Sequence, residues 1–290
     1  MIDCSEDCFS KMACDLHIHS TASDGGFTPS QVVEHAAKIG LTCISLTDHD
    51  TLHGIAEAQE KAEEIGIPFI PGIEMTTVME KNEIHILGYF MHNNSNLTEV
   101  MKNSKEMTIS RLGKIVDLLE ELGLPLCLEE VLEIAGEGSL GRPHLAQAMV
   151  RHGYVKNTQE AFERYIGSYG PAYVPPEGIL PEKAYRLISE AGGISAIAHP
   201  GQPGRADMMK DNEIQTHKEL GAMAIEVFHP RHDDYMVNYY MKLAGKLGMG
   251  IVGGSDCHGT YFPKILMDRK IVPDWVAEKF YAFYEKNRLS

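Results

Sequence analysis

The stretch Cys14–Gly26, CDLHIHSTASDGG, sets two histidines at alternate positions, follows them with Ser and Thr, and turns on Asp-Gly-Gly. In a strand, residues i and i+2 share a face. Extended backbone would therefore aim His17 and His19 at one point, with Asp24 a few residues on. A lone pair of this kind is either half of a metal site or two ordinary histidines. The rest of the chain has to choose.

Short apolar runs recur outward from this stretch: ACDLHIH (13–19), CISLTDH (43–49), PFIPGIE (68–74), EIHILGYF (83–90), GISAIAH (193–199), AIEVFH (224–229) and GIVGGSD (250–256). Helical patterns at 29–40 and 54–66 lie between the first three, and Gly40, Gly66 and Gly248 stand where helix C-caps are expected. Strand–helix alternation predicts parallel strands joined by right-handed crossovers. Six of the seven runs carry a His, Asp or Glu at or near the C-terminal end, and the sixth in order ends on His229, apart from the main cluster. Functional groups gathered at the C-terminal ends of parallel strands are the mark of a (β/α) barrel. An α/β barrel of about seven strands is therefore expected rather than an open doubly wound sheet. No GxGxxG turn follows the first strand to favour a dinucleotide fold.

From about 99 to 191 the strand pattern gives way to helical periodicity, closed by the Gly/Pro-rich loop GSYGPAYVPPEG at 167–178. The expected organisation is a discontinuous barrel, 12–98 and 192–275, with a helical insertion, 99–191, covering the active-site face. The formal net charge of −15, from 26 basic and 41 acidic residues, argues against long duplex nucleic acid, whose phosphates need a basic footprint. It is compatible with a small phosphorylated substrate, because bound cations reverse the local sign. No apolar run is long enough to span a membrane, the N-terminus has no signal-peptide core, and six cysteines make no disulfide framework. A reducing, cytoplasmic compartment is expected.

The donors at the run ends are six histidines, His17, His19, His49, His85, His199 and His258, and three carboxylates, Asp24, Glu74 and Asp256. Imidazole and carboxylate together suit Zn, Mn or Fe(II) rather than Ca or Mg alone. Singly, TDHD (47–50) reads as a turn or helix cap, GIE (72–74) as nothing, and SDCH (255–258) as a loop. Their recurrence at successive strand ends is what points to a metal centre.

DLHIHSTASDG, LTDHDT, GIE, HILGY, AHPG and GGSDCHG, in that order, resemble the PHP (polymerase and histidinol phosphatase) family of metal-dependent phosphoesterases. The resemblance covers about 13–90 and 193–259. It implies a distorted (β/α)7 barrel with two or three divalent ions. By it, His17, His19, Glu74 and Asp256 would hold the first ion. Glu74, His85 and His199 would hold the second, with Glu74 bridging, and Asp24, His49 and His258 the third. A water or hydroxide would bridge the first two ions and attack phosphorus. Asp24 stands where some relatives have His, which leaves the metal identity open. GRPHLA (141–146), with the helical insertion, resembles the branch that hydrolyses nucleoside 3′,5′-bisphosphates and trims short RNA from the 5′ end.

Arg142 in GRPH and Arg205 in GQPGR are candidate phosphate contacts, since guanidinium binds phosphate bidentately. Their plainer readings are a residue opening a helix, with Pro143 in its first turn, and a solvated loop residue. His229 is a candidate proton donor to the leaving oxygen, or else a buried supporting group. Asp48 and Asp50 are expected to orient imidazole rings, Cys257 to point into the core, and His144 to be structural. His35, His53, His92, His152, His217 and His232 are expected to be surface or capping groups. Histidinol phosphate or a cyclic phosphodiester are the alternative substrates. An inactive metal-binding scaffold is the alternative class, disfavoured because no ligand position is missing.

Overall fold

All seven apolar runs become strands. The computed structural model describes residues 13–79, 82–91, 95–136, 140–201, 208–259, 267, 272–273 and 275–288. Strands β1 (Cys14–Ile18), β2 (Cys43–Leu46), β3 (Phe69–Met79), β4 (Asn82–Tyr89), β5 (Ile194–Ile197), β6 (Ala224–Phe228) and β7 (Gly250–Gly253) pair in sequence order in one sheet. The sheet nearly closes on itself. Beyond β7, Cys257 bridges Ile18 in parallel, Asp256 N donates to His17 O at 2.8 Å, and His19 N donates to Cys257 O at 3.0 Å. The fold is a nearly closed seven-stranded α/β barrel with inserted helices.

Gly254 makes that seam possible. A Cβ on it would lie 2.3 Å from the His17 backbone nitrogen and Cβ. Gly254→Ala is expected to destabilise the protein by about 1–3 kcal/mol, the usual cost of overpacking a close-packed interior. Chemical denaturation measures this, and an unchanged midpoint would contradict it.

One expectation is corrected. β1, β2 and β3 are parallel, as are β5, β6 and β7, but β4 runs antiparallel to both β3 and β5. The reason is connection length: β3 ends at Met79 and β4 starts at Asn82, whereas a parallel crossover needs a dozen residues or more. His85 therefore sits near the beginning of β4, opposite Thr76, and the reversal brings it to the same mouth as the other strand ends. Glu74 is likewise mid-strand, because β3 runs on past it to Met79 as one arm of the hairpin.

Helices α1 (Pro29–Lys38) and α2 (Ile55–Ile65) cover the first strands, packing Val32, Val33, Ala36, Ala58 and Ala62 on Ile44 and Leu46. Thr28 caps α1 through the Gln31 amide in a reciprocal capping box. Gly66 and Gly248 end α2 and α9 (Asp234–Leu247) in the left-handed region, and Gly40, with φ 84°, follows α1.

Between β4 and β5 lie α3 (Ser95–Glu121), α4 (Leu128–Ala135), α5 (Arg142–Arg151), α6 (Thr158–Ala161) and α7 (Pro181–Glu190). A separate apolar cluster runs from Leu112 to Ala172. α7, just inside the expected boundary at 191, packs Tyr185, Leu187 and Ile188 into the barrel cluster with Ile73, Ile86 and Ile197. α8 (Asp211–Leu220) and α9 complete that layer, and α10 (Trp275–Asn287) packs Phe280 on Leu16 and Val252. Among the described residues no helix is long and apolar enough to cross a membrane.

Candidate metal centre

The barrel mouth gathers every expected donor. β1 carries His17, with His19 directly after it. His49 follows β2 and bridges to Glu74 on β3, and His85 is on β4. His199 follows β5, His229 follows β6, and Asp256 and His258 follow β7. His199 (φ 26°) and Asp256 (φ 52°) hold positive backbone angles. Such conformations cost non-glycine residues about 1–3 kcal/mol each and cluster at functional sites.

Glu74, fully buried, is the hub. Its Oε2 lies 3.1 Å from His17 Nε2, 3.2 Å from His19 Nε2 and 3.3 Å from His49 Nδ1. Its Oε1 lies 2.9 Å from both His85 Nδ1 and His199 Nε2. The two oxygens thus divide five imidazoles into two sets. Asp256 Oδ1 adds contacts of 3.2 Å to His19 Nε2 and 3.5 Å to His17 Nε2. Asp24 Oδ1 stands 3.3 Å from His258 Nε2 and 3.9 Å from His19 Nδ1.

Among the described residues, three overlapping groups have ligand atoms within 4.8 Å of one another: His17, His19, Glu74 and Asp256; His19, Asp24, His49 and His258; and His49, Glu74 and His85. The first matches the expected division. The second adds His19 to the expected three, and the third contains His49, while His199 touches the same Glu74 oxygen as His85.

The donor set fits a metal. His19 Nδ1, His19 Nε2 and His49 Nδ1 are buried without a hydrogen-bond partner, although carboxylate oxygens stand nearby. Buried polar atoms are normally satisfied. His17, His85 and His199 hydrogen-bond Glu74, whereas the His19 and His49 nitrogens face the same carboxylates without a bond, as ligands directed at a common point would. At His17, His85 and His258 the far ring nitrogen is tied down as in ligand histidines generally. His17 Nδ1 meets Glu226 Oε1 at 2.8 Å, which leaves Nε2 for the centre. His258 Nδ1 donates to Asp256 O at 2.9 Å, which turns Nε2 toward Asp24.

Charge follows the same layout. Burial disfavours a charged His17, but Glu226, Glu74 and Asp256 hold its pKa well above the ordinary value. Burial acts the same way on His19, where Asp256 and Glu74 prevail and push it up to about 10. Burial carries His49 down to about 4. Burial would raise Glu74, yet the surrounding imidazoles, His17 first, hold it well below the carboxylate range.

Glu226 was not anticipated. It lies within AIEVF, an apolar strand, where it also accepts the His199 amide at 2.6 Å. A charge inside such a strand needs a partner, and that was the available signal. Glu83 was also missed: it meets His85 Nε2 at 3.2 Å.

Other expectations sort as follows. His229 is buried in the mouth, its Nδ1 accepting from Arg231 N at 3.2 Å and its Nε2 3.5 Å from Asp256 Oδ2. Arg142 opens α5, with Pro143 in the first turn, and extends to Glu83 (3.4 Å) and Ile166 O (3.3 Å). Arg205 and His92 lie outside the described residues. Cys257 is buried in the core, and His144 accepts from Gly141 N at the start of α5.

Asp48 and Asp50 hold loops rather than rings. Asp48 accepts from Ser20 N, Ser20 Oγ and Ser23 Oγ, and Asp50 from Thr76 N. Both sit where a tight turn leaves backbone amides and hydroxyls to be satisfied. His217 and His232 are buried, not superficial: His217 pairs with Tyr185 OH at 2.8 Å, and His232 links Val227 O to Gly201 N. Helix packing over α7, α8 and the β6 end encloses them.

The sequence pattern of the PHP domain matches residues 15–232. The 5′-3′ exoribonuclease Rnm of Escherichia coli is 35% identical over 260 residues, covering 89% of this chain and 88% of the relative. The 3′,5′-nucleoside bisphosphate phosphatase of Chromobacterium violaceum is 30% identical over 246 residues, covering 84% and 86%. A solved protein from Bifidobacterium adolescentis, assigned as a metal-dependent phosphoesterase, superposes with a TM-score of 0.81 at 29% identity, over 89% of this chain and 94% of that one. With the barrel, the buried donor clusters and these relatives together, the chain belongs to the PHP domain family and is a phosphoesterase of it.

Proposed function

We infer that this phosphoesterase hydrolyses a nucleoside 3′,5′-bisphosphate or removes nucleotides from the 5′ end of short RNA. The observation that carries the reading is the division of the Glu74 carboxylate, each oxygen facing its own set of imidazoles. That arrangement supports two or three divalent ions (Mn, Zn or Fe) held by His17, His19, Asp24, His49, Glu74, His85, His199, Asp256 and His258. When bound, such ions supply positive charge for the phosphoryl oxygens and lower the pKa of an attacking water. The substrate class is supported by the two relatives named above.

The chain's own residues do the rest. Glu226 holds His17 in the tautomer whose Nε2 faces the centre. His229 is the proposed proton donor to the leaving oxygen; because its Nδ1 accepts from the Arg231 amide in this structure, the ring has to take up a proton at Nδ1 before Nε2 can deliver one. Arg142 and Arg205 are proposed contacts for a substrate phosphate. Residues 99–191 are proposed as the unit that covers the site face, and 12–98 with 192–275 as the barrel. A reducing, cytoplasmic compartment is proposed, which suits Cys257 as a buried thiol between Asp256 and His258.

The test is phosphate release from adenosine 3′,5′-bisphosphate, histidinol phosphate, a cyclic phosphodiester and a short 5′-phosphorylated RNA, with Mn- or Zn-loaded protein. Release from the bisphosphate or the RNA, lost in His17→Ala/His19→Ala, is expected. Release from histidinol phosphate alone, or from the cyclic diester alone, would overturn the substrate assignment.

Metal binding is also expected to release protons. A ligand imidazole must be neutral, yet His17, His19 and His85 are held protonated by surrounding carboxylates in the metal-free protein. Affinity should therefore climb as pH rises toward the His19 value of about 10. Calorimetry at pH 8 in buffers of different ionisation heat measures the protons released, and a count near zero would contradict this.

A further inference from the structure

Glu83, two residues before His85, is the meeting point of three cationic or donor side chains. Its Oε1 lies 3.2 Å from His85 Nε2 and 3.4 Å from Arg142 Nη2, and its Oε2 lies 3.0 Å from Arg111 Nη1. Both arginines come from the inserted helices, Arg111 from α3 and Arg142 from α5. Each is fixed at its other end. Arg111 Nε donates to Val174 O at 3.0 Å, and Arg142 Nη1 donates to Ile166 O at 3.3 Å. Tyr173 lies under both guanidinium groups, 6.0 Å from each, and Phe162 lies 5.6 Å from Arg142.

The other face of the same imidazole looks into the centre: His85 Nδ1 is 2.9 Å from Glu74 Oε1. A carboxylate thus faces each ring nitrogen in the metal-free protein; with an ion between Nδ1 and Glu74, the one N–H of a neutral imidazole would be held at Nε2 by Glu83 and the lone pair left on Nδ1. Carboxylates in this relation to ligand histidines orient the ring and raise its basicity.

We propose that Glu83 is a positioning residue for His85. It accepts the Nε2 proton and leaves Nδ1 as the metal-facing atom, while Arg111 and Arg142 lock it in place. The inserted helices thereby set the orientation of one imidazole of the barrel's metal centre. This rests on the metal-centre reading above, and its readouts are metal affinity and proton position, neither of which depends on the substrate.

The experiment has two parts, both on the full chain. Manganese is titrated into wild type, Glu83→Ala and Glu83→Gln, with circular dichroism to verify folding. The expected result is a loss of about 10–100-fold in affinity for one of the bound manganese ions in Glu83→Ala. Partial recovery is expected in Glu83→Gln, whose amide oxygen still accepts from Nε2. An unchanged isotherm in folded Glu83→Ala would overturn the proposal and leave Glu83 as an anchor for the helices alone.

The second part needs only wild type. With ¹⁵N-labelled histidine, and His85→Gln to assign the ring, zinc loading should shift the His85 Nδ1 resonance and leave Nε2 protonated. A shift at Nε2 with loss of its proton would overturn the proposal even if both variants fail to fold. Absence of any metal binding by wild type would overturn this proposal together with the metal-centre reading, whereas wild-type binding that Glu83→Ala does not alter sinks this proposal alone.

Discussion

Glu74→Gln lowers phosphate release by about 10³-fold or more. The expectation follows from geometry: one carboxylate faces five imidazoles, and its two oxygens serve different sets. An amide presents one acceptor oxygen and one donor nitrogen, so one of the two sets would meet an N–H where it needs a lone pair. Losing one shared anionic ligand removes several kcal/mol of charge stabilisation, and each 1.36 kcal/mol is tenfold in rate. Bound metal, counted by elemental analysis after desalting, should fall with activity. Glu74 is also the base on which the charged imidazoles rest in the metal-free protein, so the variant's melting temperature should be read beside it. Full metal content with full activity in Glu74→Gln would remove the bridging role.

His229→Asn lowers kcat by about 10²–10⁴-fold, the usual contribution of a positioned general acid, while metal content stays unchanged. Asparagine is the informative replacement because its side-chain oxygen stands near the place of Nδ1 and can accept from the Arg231 amide. What it lacks is a ring N–H on the side of Asp256. The loss should therefore depend on the leaving group: large for a nucleoside ribose oxygen and small for p-nitrophenol, which departs without a proton. Equal losses on the two esters would make His229 a structural group.

Much of this site is written locally, and the reasons differ residue by residue. His17 and His19 are legible because strand alternation alone decides that they share a face. His49, Glu74, His199 and Asp256 are legible only as a set, each unremarkable until strand ends are compared. The orientation of β4 was not legible from alternation, because the hairpin between Met79 and Asn82 breaks the strand–helix rhythm without a loop signature of its own. Glu226 escaped for another reason: its partner, His17, is 209 residues away, and only the barrel's closure brings them together, while Glu83 alternates with His85 on β4 but meets Arg111, 28 residues on, only through the helical insertion. His217 and His232 were assigned to the surface because polar residues in helical and loop segments usually lie there. Their burial is imposed by packing from other elements.

Helix α3 ties two cores together and has the geometry of a lever. Its first turns place Leu97 and Val100 in the barrel cluster, and its later turns place Leu112, Ile115 and Leu119 in the separate one. The pivot lies far from the mouth, since β4 ends at Tyr89 opposite Gly72 and Ile194, at the starts of β3 and β5. Arg111 comes 16 residues after Ser95, which is about 24 Å of helix at 1.5 Å per residue. At that radius a tilt of about 5° at the base sweeps Arg111 through ~2 Å, enough to part it from Glu83 across a 3.0 Å hydrogen bond. A small rotation at the far end of the barrel would be geared up into the loss of a contact at the metal centre, and the Arg111–Val174 bond and the packing of Leu112, Ile115 and Leu119 are what oppose it.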